Sequence, residues 1–130
     1  ARMGGQQPGP EIVTSLTRYL DAIPAPPAPT RAAPVDMVKG RLLFERAGCA
    51  ACHTGPLMTS VVNSNVGTGD AFQVPSLKGL SRRAPFMHNG CAKTMEQRFN
   101  DPACGGERHG DTSSLTPEEL GELTAYLGQL

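Results

Sequence analysis

The sequence predicts an all-α fold, because its strongest patterns are helical and no segment alternates apolar and polar residues as a surface strand does. Apolar residues recur every three or four positions in residues 10–23 and 116–127, which is the spacing of one helix face. A third helix is predicted for residues 36–47, between the capping residue Asp36 and the terminating Gly48. The fold class therefore rests on these three segments.

The first predicted helix is followed by a proline-rich linker. Pro10 suits the first turn of a helix, and Pro24 ends it. The apolar stripe of this helix consists of Ile12, Leu16, Tyr19, Leu20 and Ile23. Residues 24–34 contain five prolines, and a polyproline-II strap of this length spans roughly 34 Å at about 3.1 Å per residue. We therefore divide the chain into residues 1–34, a helix plus a linker, and residues 35–130, a helical domain.

The middle of the chain has weaker signals. Residues 54–75 are rich in small polar residues and show no clear periodicity, so we expect a loop there and again at residues 104–114. Short helices are predicted for residues 75–80 and 94–99, the second of them capped by Thr94.

The last predicted helix has the clearest boundary signals. Thr116 is a good cap, Pro117 stands at the first helical position, and Glu119 is placed to complete a capping box. Its apolar stripe is formed by Leu120, Leu123, Tyr126 and Leu127, and Gly128 ends it.

The composition of the 130 residues excludes some functions. Lys and Arg together number 12, as do Asp and Glu, so the net charge gives no sign of a nucleic acid partner. No run of 18 or more apolar residues is present, so we expect no transmembrane segment. With no Trp, two Tyr and four Phe, the chain has few large side chains from which to build a core.

Residues 49–53 carry the most informative pattern. They read Cys-Ala-Ala-Cys-His, and Cys-x-x-Cys-His is the attachment sequence of a c-type haem. The thiols of Cys49 and Cys52 lie one helical turn apart, so each can form a thioether to a vinyl group of the same porphyrin. His53 then supplies an imidazole nitrogen as the proximal iron ligand. One covalently bound haem would also be the large apolar body that this core lacks.

Two other interpretations of the cysteine pair stay open. A thioredoxin-like dithiol needs a βαβ pattern around it, which the sequence does not show. A structural zinc site needs four ligands, usually in two closely spaced pairs, whereas Cys91 and Cys104 are 13 positions apart. If Cys49 and Cys52 hold haem, Cys91 and Cys104 remain as a pair. In an oxidising compartment these two are expected to form a disulfide, the alternative being two free buried thiols.

Two residue pairs carry a resemblance to a known family. Gly40 and Phe44 stand one turn apart before the haem motif, and Leu123 and Tyr126 stand one turn apart on the last helix. This arrangement resembles that of class I c-type cytochromes, in which the two helices cross at these positions. The resemblance covers about residues 35–130. It implies a cytochrome c-like helical domain built around one covalently bound haem.

A narrower resemblance is to the C-terminal haem domains of the dihaem cytochrome c peroxidase and MauG-like group. It is carried by Val-Gly-Thr-Gly at 66–69, Val-Pro-Ser-Leu-Lys-Gly at 74–79 and Ala-Pro-Phe-Met-His-Asn-Gly at 84–90. In that group the first helix of this chain would be the tail of a preceding haem domain. The echo of Leu-Thr-Arg-Tyr-Leu at 16–20 in Leu-Thr-Ala-Tyr-Leu at 123–127 agrees with this.

The sixth iron ligand is predicted to be His109, which gives bis-His ligation. In class I cytochromes the second ligand lies in the loop before the last helix, and the corresponding slot here is 17 residues before Tyr126. Met87, His88 and an open position are the alternatives. Met58 is too close to His53 in sequence to reach the opposite face of the haem, and Met95 falls at a helical position typical of core. The residues that could reach the sixth position by type are therefore Met58, Met87, His88, Met95 and His109.

These features together predict a monohaem cytochrome that carries single electrons between a redox protein donor and a redox protein acceptor, without catalytic residues of its own. Two alternatives stay open: the electron-relay domain of a dihaem peroxidase or MauG-like oxidase, and a haem subunit of a larger complex. The basic residues Lys78, Arg82 and Arg83 would contact haem propionates or a docking partner, or would simply be solvated.

The attachment motif also predicts a compartment. Haem attachment of this kind resembles that of the extracytoplasmic cytochrome c pathway, so we expect a periplasmic or otherwise extracytoplasmic location. We further expect that a leader peptide has been removed, or that the chain is part of a longer precursor.

Overall fold

The computed structural model describes residues 5–24, 27, 30 and 34–130. Its regular elements, in chain order, are α1 (Pro10–Ala22), α2 (Met37–Arg46), β1 (Asn63–Asn65), β2 (Ala71–Gln73), α3 (Met95–Asn100) and α4 (Pro117–Leu127). Single turns of 3-10 helix lie between them at Cys49–Ala51, Leu80–Arg82, Pro102–Cys104 and Gly106–His109. The predominance of helix confirms the predicted all-α class.

The core lies where α2 crosses α4. Buried apolar side chains from α2, α3 and α4 form one cluster of Leu43, Phe44, Ala47, Phe99, Leu123, Tyr126 and Leu127. Gly40 on α2 lies directly against the side chain of Tyr126, and the rings of Phe44 and Tyr126 are 5.8 Å apart at an angle of 56°. The missing side chain of Gly40 lets the two helices approach closely. This crossing fixes the end of α2, from which the haem motif continues.

Side-chain caps set the starts of three helices where the sequence predicts them. The carboxylate of Asp36 accepts two backbone N–H groups at the start of α2. Thr94 with Gln97, and Thr116 with Glu119, form complete capping boxes at the starts of α3 and α4. Each cap satisfies N–H groups that have no partner inside the helix.

The structure corrects the loop predicted for residues 54–75. This segment contains the antiparallel hairpin of β1 and β2, in which Ser64 pairs with Phe72. Each strand is only three residues long, β1 reading Asn-Ser-Asn and β2 reading Ala-Phe-Gln. Such short strands show no alternating pattern in the sequence, because alternation needs four or more residues to be recognised.

Two more local predictions are wrong. Residues 75–80 do not form a helix; the helical turn falls later, at Leu80–Arg82, after Gly79 in the left-handed conformation. Residues 104–114, predicted as loop, include the helical turn Gly106–His109. In both cases short 3-10 turns leave no periodic apolar pattern in the sequence.

Helix α1 ends one residue earlier than predicted and keeps its apolar side chains exposed. The exposed fraction is 48% to 66% for Ile12, Val13, Leu16, Tyr19, Leu20 and Ile23.

The predicted linker lies largely outside the described residues, but the carbonyl oxygen of Pro27 accepts hydrogen bonds from the guanidinium of Arg82 at 3.1 and 3.3 Å. The division into residues 1–34 and 35–130 stays a prediction. Among the described helices, none has the length and apolar character needed to cross a bilayer.

Candidate functional site

The residues of the Cys-x-x-Cys-His motif follow α2 on a single turn. The backbone N–H groups of Cys52 and His53 both donate to the carbonyl oxygen of Cys49, at 3.3 and 3.0 Å. This turn brings the two half-buried, unpaired thiols and the imidazole of His53 to the wall of one cavity. Burial raises the pKa of the Cys49 thiol, although the nearby charge of Arg98 opposes the shift.

The cavity has a volume of about 880 Å³, which is at the upper end of the range for sites that enclose an organic ligand. Its apolar wall includes Phe44, Val66, Val74, Leu77, Leu80, Phe86 and Leu127, drawn from segments throughout residues 44–127. Cys49, Cys52, His53 and His109 line the same space. A space of this size at the centre of a small domain agrees with the expectation that a large apolar group completes the core.

The imidazole of His53 is buried, with 8% of its surface exposed. Its Nδ1 atom lies 3.1 Å from the carbonyl oxygen of Met58. A carbonyl oxygen only accepts hydrogen bonds, so Nδ1 must carry the proton, and the lone pair of the neutral ring is on Nε2. Burial is the main cause of a lowered pKa for His53, which favours this neutral form. The ring can thus donate the lone pair of Nε2 to a metal.

The ring of His109 faces that of His53. The two ring centroids are 6.2 Å apart and the ring planes are inclined by 30°. Two imidazoles bound to opposite sides of one metal, each through a bond of about 2 Å, have centroids separated by roughly 6 Å. The observed spacing therefore fits a metal ion placed between the two rings.

The surroundings of His109 also suit a neutral nitrogen ligand. Its Nδ1 atom is buried and has no hydrogen-bond partner among the described residues. Burial, followed by the charges of Arg98 and His53, lowers the pKa of His109 to about 3. The imidazole is therefore neutral over the physiological range, with a lone pair available to a metal.

Several contacts hold the turn that carries His109. The guanidinium of Arg98 on α3 donates a hydrogen bond to the carbonyl oxygen of His109. Two residues further on, the N–H of Asp111 donates to the carbonyl oxygen of Ala47 at 3.0 Å, which ties the turn to the end of α2. The turn that carries His53 and the turn that carries His109 are thus both connected to the helices of the core.

The alternative ligands lie at the rim of the same cavity. The exposed ring of His88 stacks on Phe72, with centroids 3.9 Å apart, and its Nδ1 atom is 3.3 Å from the hydroxyl of Thr68. Met87 lines the cavity and has a left-handed backbone, with φ of 69°. Among the ring pairs of the described residues, His53 faces His109 and His88 faces Phe72.

The predicted basic cluster is divided in the structure. Arg83 lines the cavity and donates a hydrogen bond to the carbonyl oxygen of Ser76. Arg82 donates to the carbonyl oxygen of Pro27, and Lys78 is exposed. Sequence reasoning missed Arg98, which is buried at 5% exposure. The only signal in the sequence is the position of an arginine next to Phe99 in a short capped helix.

Cys91 and Cys104 lie together, with Cα atoms 5.7 Å apart and sulfur atoms within bonding distance. This separation suits a disulfide, whose formation stays a prediction. No group of three or more His, Cys, Asp or Glu side chains in the described ranges is arranged to hold a metal ion. The zinc interpretation of Cys49 and Cys52 therefore gains no support.

The chain is similar to a known protein family and to several known proteins. The model of the cytochrome c family matches residues 37–130. The methylamine utilization protein MauG of Methylorubrum extorquens is 30% identical over 121 residues, which cover 73% of this chain and 34% of that protein. The cytochrome c551 peroxidase of Nitrosomonas europaea is 27% identical over 84 residues, which cover 48% of this chain and 25% of the peroxidase.

The chain is also similar, in sequence and in structure, to hydrazine synthase. Hydrazine synthase subunit gamma of Kuenenia stuttgartiensis is 32% identical over 59 residues, or 45% of this chain and 17% of the subunit. A chain of hydrazine synthase from the same organism, solved under 20 bar of xenon, superposes with a TM-score of 0.74 at 22% identity, covering 94% of this chain and 56% of the other. The chain thus spans about a third or less of the length of the relatives it matches in sequence.

Proposed function

Because the chain belongs to the cytochrome c family, which implies a covalently bound haem c, we propose that it carries single electrons through one haem ligated by His53 and His109. The observation that carries this proposal is the 6.2 Å separation of the two imidazole centroids across the cavity. When bound, the haem supplies a one-electron Fe(III)/Fe(II) couple. The fold then serves to bind the group, orient its ligands and keep water away from them.

Each part of the motif has a separate task. Cys49 and Cys52 would anchor the porphyrin through thioethers, so that the group cannot dissociate when its charge changes. The hydrogen bond from Nδ1 of His53 to the carbonyl oxygen of Met58 fixes the tautomer and the ring orientation and makes Nε2 a stronger donor. Phe44, whose ring centroid is 6.5 Å from that of His53, packs against the same imidazole from the core.

Ligation by two imidazoles would favour electron transfer over reactions in which a substrate binds to the iron. If His53 and His109 both held the iron, no position would be left open to peroxide or dioxygen. Two imidazoles also give a lower reduction potential than the His–Met pair of many cytochromes c. We therefore propose an electron carrier that serves a redox protein donor and acceptor, in the periplasm or another extracytoplasmic space where the Cys91–Cys104 disulfide would persist.

The test uses the full chain produced with its haem. Intact mass and a pyridine haemochrome spectrum should show one covalent haem, and the ferric protein should be low-spin without a sulfur-to-iron band. His109→Ala should become high-spin and bind added imidazole, and His109→Met should gain the sulfur band and a higher potential. His88→Ala and Met87→Leu are the matched controls and should keep the wild-type spectrum. A spectrum that changes in Met87→Leu but not in His109→Ala would contradict the proposal.

A second candidate is a haem domain of a larger oxidoreductase. It is supported by two observations: MauG is about three times longer than the matched region, and the apolar side chains of α1 are exposed. In this case the chain would relay electrons to or from a partner that reacts with peroxide. A native particle of one small chain, with a spectrum that peroxide does not alter, favours the simple carrier. A larger particle that consumes peroxide favours the relay.

A further inference from the structure

Arg98 is a buried cation without an ion pair. Its side chain lies on α3 with 5% of its surface exposed. The ion pairs among the described residues are Lys39–Glu122, Arg41–Glu45 and Arg46–Glu119, and none includes Arg98. A buried charge costs several kcal/mol unless its surroundings compensate it, and arginine is among the residues least often fully buried. Its presence at the wall of the cavity therefore calls for a local reason.

Two contacts of Arg98 lie at the cavity, and its charge also interacts with Glu107. Its guanidinium donates to the carbonyl oxygen of His109 and stands 5.1 Å from the ring centroid of Phe99. The capping box of Thr94 and Gln97 fixes the start of the short helix that carries it. The capped helix α3 and the ring of Phe99 thus hold the guanidinium of Arg98 next to the backbone of His109.

That residue is the one whose imidazole faces His53. A hydrogen bond to the carbonyl of His109 restrains the peptide that follows the ring, and so restrains the position of its Cα atom. A charged donor makes such a bond roughly twice as strong as a neutral one. The contact acts on the orientation of the ring as well as on the stability of the turn.

The charge has its own effect. Inside a cavity with an apolar wall, charges interact more strongly than in water. A fixed positive charge disfavours the ferric state, which carries one more positive charge than the ferrous state. Arg98 would therefore shift the redox equilibrium toward the reduced form. A residue with a purely structural role would leave that equilibrium unchanged.

We propose that Arg98 is a positioning residue that holds His109 in place for ligation, and that its buried charge raises the reduction potential. This inference rests on the proposed ligation by His109. Arg98 contacts the ligand through its backbone and does not itself bind the iron.

The experiment compares Arg98→Met and Arg98→Lys in the haem-loaded full chain. Arg98→Met removes both the donor and the charge, so the ferric spectrum should gain a high-spin component. Its redox equilibrium should shift about tenfold toward the oxidised form, which equals about 59 mV for one electron. Arg98→Lys keeps the charge but loses the planar fork. Its potential should return to within about threefold of wild type in the equilibrium constant, while part of the high-spin component remains.

Lys93→Met is the matched control. Lys93 precedes α3, is exposed and is not among the residues that line the cavity, so its charge is screened by solvent. This variant should leave the spectrum unchanged and shift the equilibrium less than about twofold. Wild-type spectrum and potential in Arg98→Met would overturn the proposal.

Two further variants keep the outcome interpretable. If Arg98→Met does not fold, Arg98→Gln retains an amide donor without the charge, and it should stay low-spin with a lowered potential; an unchanged potential overturns the proposal. His109→Ala separates the two levels of inference. If it alters the spectrum while the Arg98 variants do not, only the role of Arg98 fails. If it leaves the spectrum unchanged, the proposed ligation fails and the inference about Arg98 fails with it.

Discussion

Gly40 and Tyr126 are in direct contact at the point where α2 crosses α4. A Cβ atom built on Gly40 would lie 2.7 Å from Cγ of the Tyr126 side chain, well inside the distance at which two carbon atoms can pack. Tyr126 in turn packs on Phe44, which contacts His53. This chain of contacts connects the helix crossing to the proposed proximal ligand.

The first prediction concerns this contact. Gly40→Ala should lower the free energy of unfolding by about 1–3 kcal/mol, because the helices must move apart or the tyrosine must leave its position. Denaturant unfolding of the haem-loaded protein measures the change. Gly121→Ala is the control: Gly121 is also helical, but a Cβ there meets nothing within 4 Å. It should gain about 0.5–1 kcal/mol from helix propensity. Equal effects of the two substitutions would show that the close approach has no energetic importance.

The elements that the sequence predicts well are those whose boundaries are set by residues close together in the chain. Caps at Asp36 and Thr116 and the apolar stripe of α4 depend on neighbouring residues, so the sequence indicates α2 and α4 to within a residue. The hairpin of β1 and β2 and the turn Gly106–His109 were missed. Elements of three or four residues are too short to show a period in the sequence.

The same division applies to the candidate site. Cys49, Cys52 and His53 form a contiguous motif, and His109 is predicted from its distance to a well-marked helix. Arg98 could not be found in this way. Its proposed role rests on burial and on a hydrogen bond to the backbone of a residue in another segment, and no short pattern of residue types encodes either property.

The second prediction is a pH dependence caused by Glu119. The ion pair with Arg46, at 2.6 Å between Nη2 and Oε2, and the capping bond from Thr116 lower the pKa of this carboxyl group. The folded-state pKa is thus below the unfolded value of about 4.3. The stabilisation is therefore complete above that value and is lost as the pH falls through the folded pKa. Glu119→Gln should destabilise the protein at pH 7 and much less at pH 3.

Glutamine keeps the capping acceptor, so this variant isolates the charge. Urea unfolding at the two pH values measures the effect. Glu118→Gln is the control, since Glu118 precedes Glu119 on the same turn but forms no ion pair with any described residue. A destabilisation by Glu119→Gln that is the same at both pH values would contradict the assignment.

The third prediction tests the disulfide. A Cys91–Cys104 bond closes a loop of 14 residues, and opening it should lower the free energy of unfolding by about 3 kcal/mol. Thioethers resist thiol reductants, so with the haem iron kept in one oxidation state in all samples, reduction should affect this bond alone. The unfolding of wild type should therefore depend on added reductant. The variant Cys91→Ala/Cys104→Ala should be insensitive to it. Two thiols that are free to react in the untreated, unfolded protein would show that the bond does not form.

The fourth prediction concerns the residue after His109. Gly110 has φ of 89° and ψ of 135°, a conformation that side chains oppose. A Cβ there would also lie 3.1 Å from the carbonyl oxygen of Ala47 and 3.3 Å from Sγ of Cys49. Gly110→Ala should therefore displace the peptide that joins it to His109. We expect a loss of about 1–3 kcal/mol in stability and a high-spin fraction in the ferric electron paramagnetic resonance spectrum.

Gly106→Ala serves as the comparison within the same turn. Gly106 also has a positive φ, of 51°, but a Cβ there meets nothing within 4 Å. It should cost about 1 kcal/mol of backbone strain and leave the spectrum low-spin. The two variants thus separate strain in the turn from displacement of the ligand. If Gly110→Ala is destabilised but fully low-spin, the position of the ring does not depend on this peptide, and the link between the turn and the ligation of His109 is wrong.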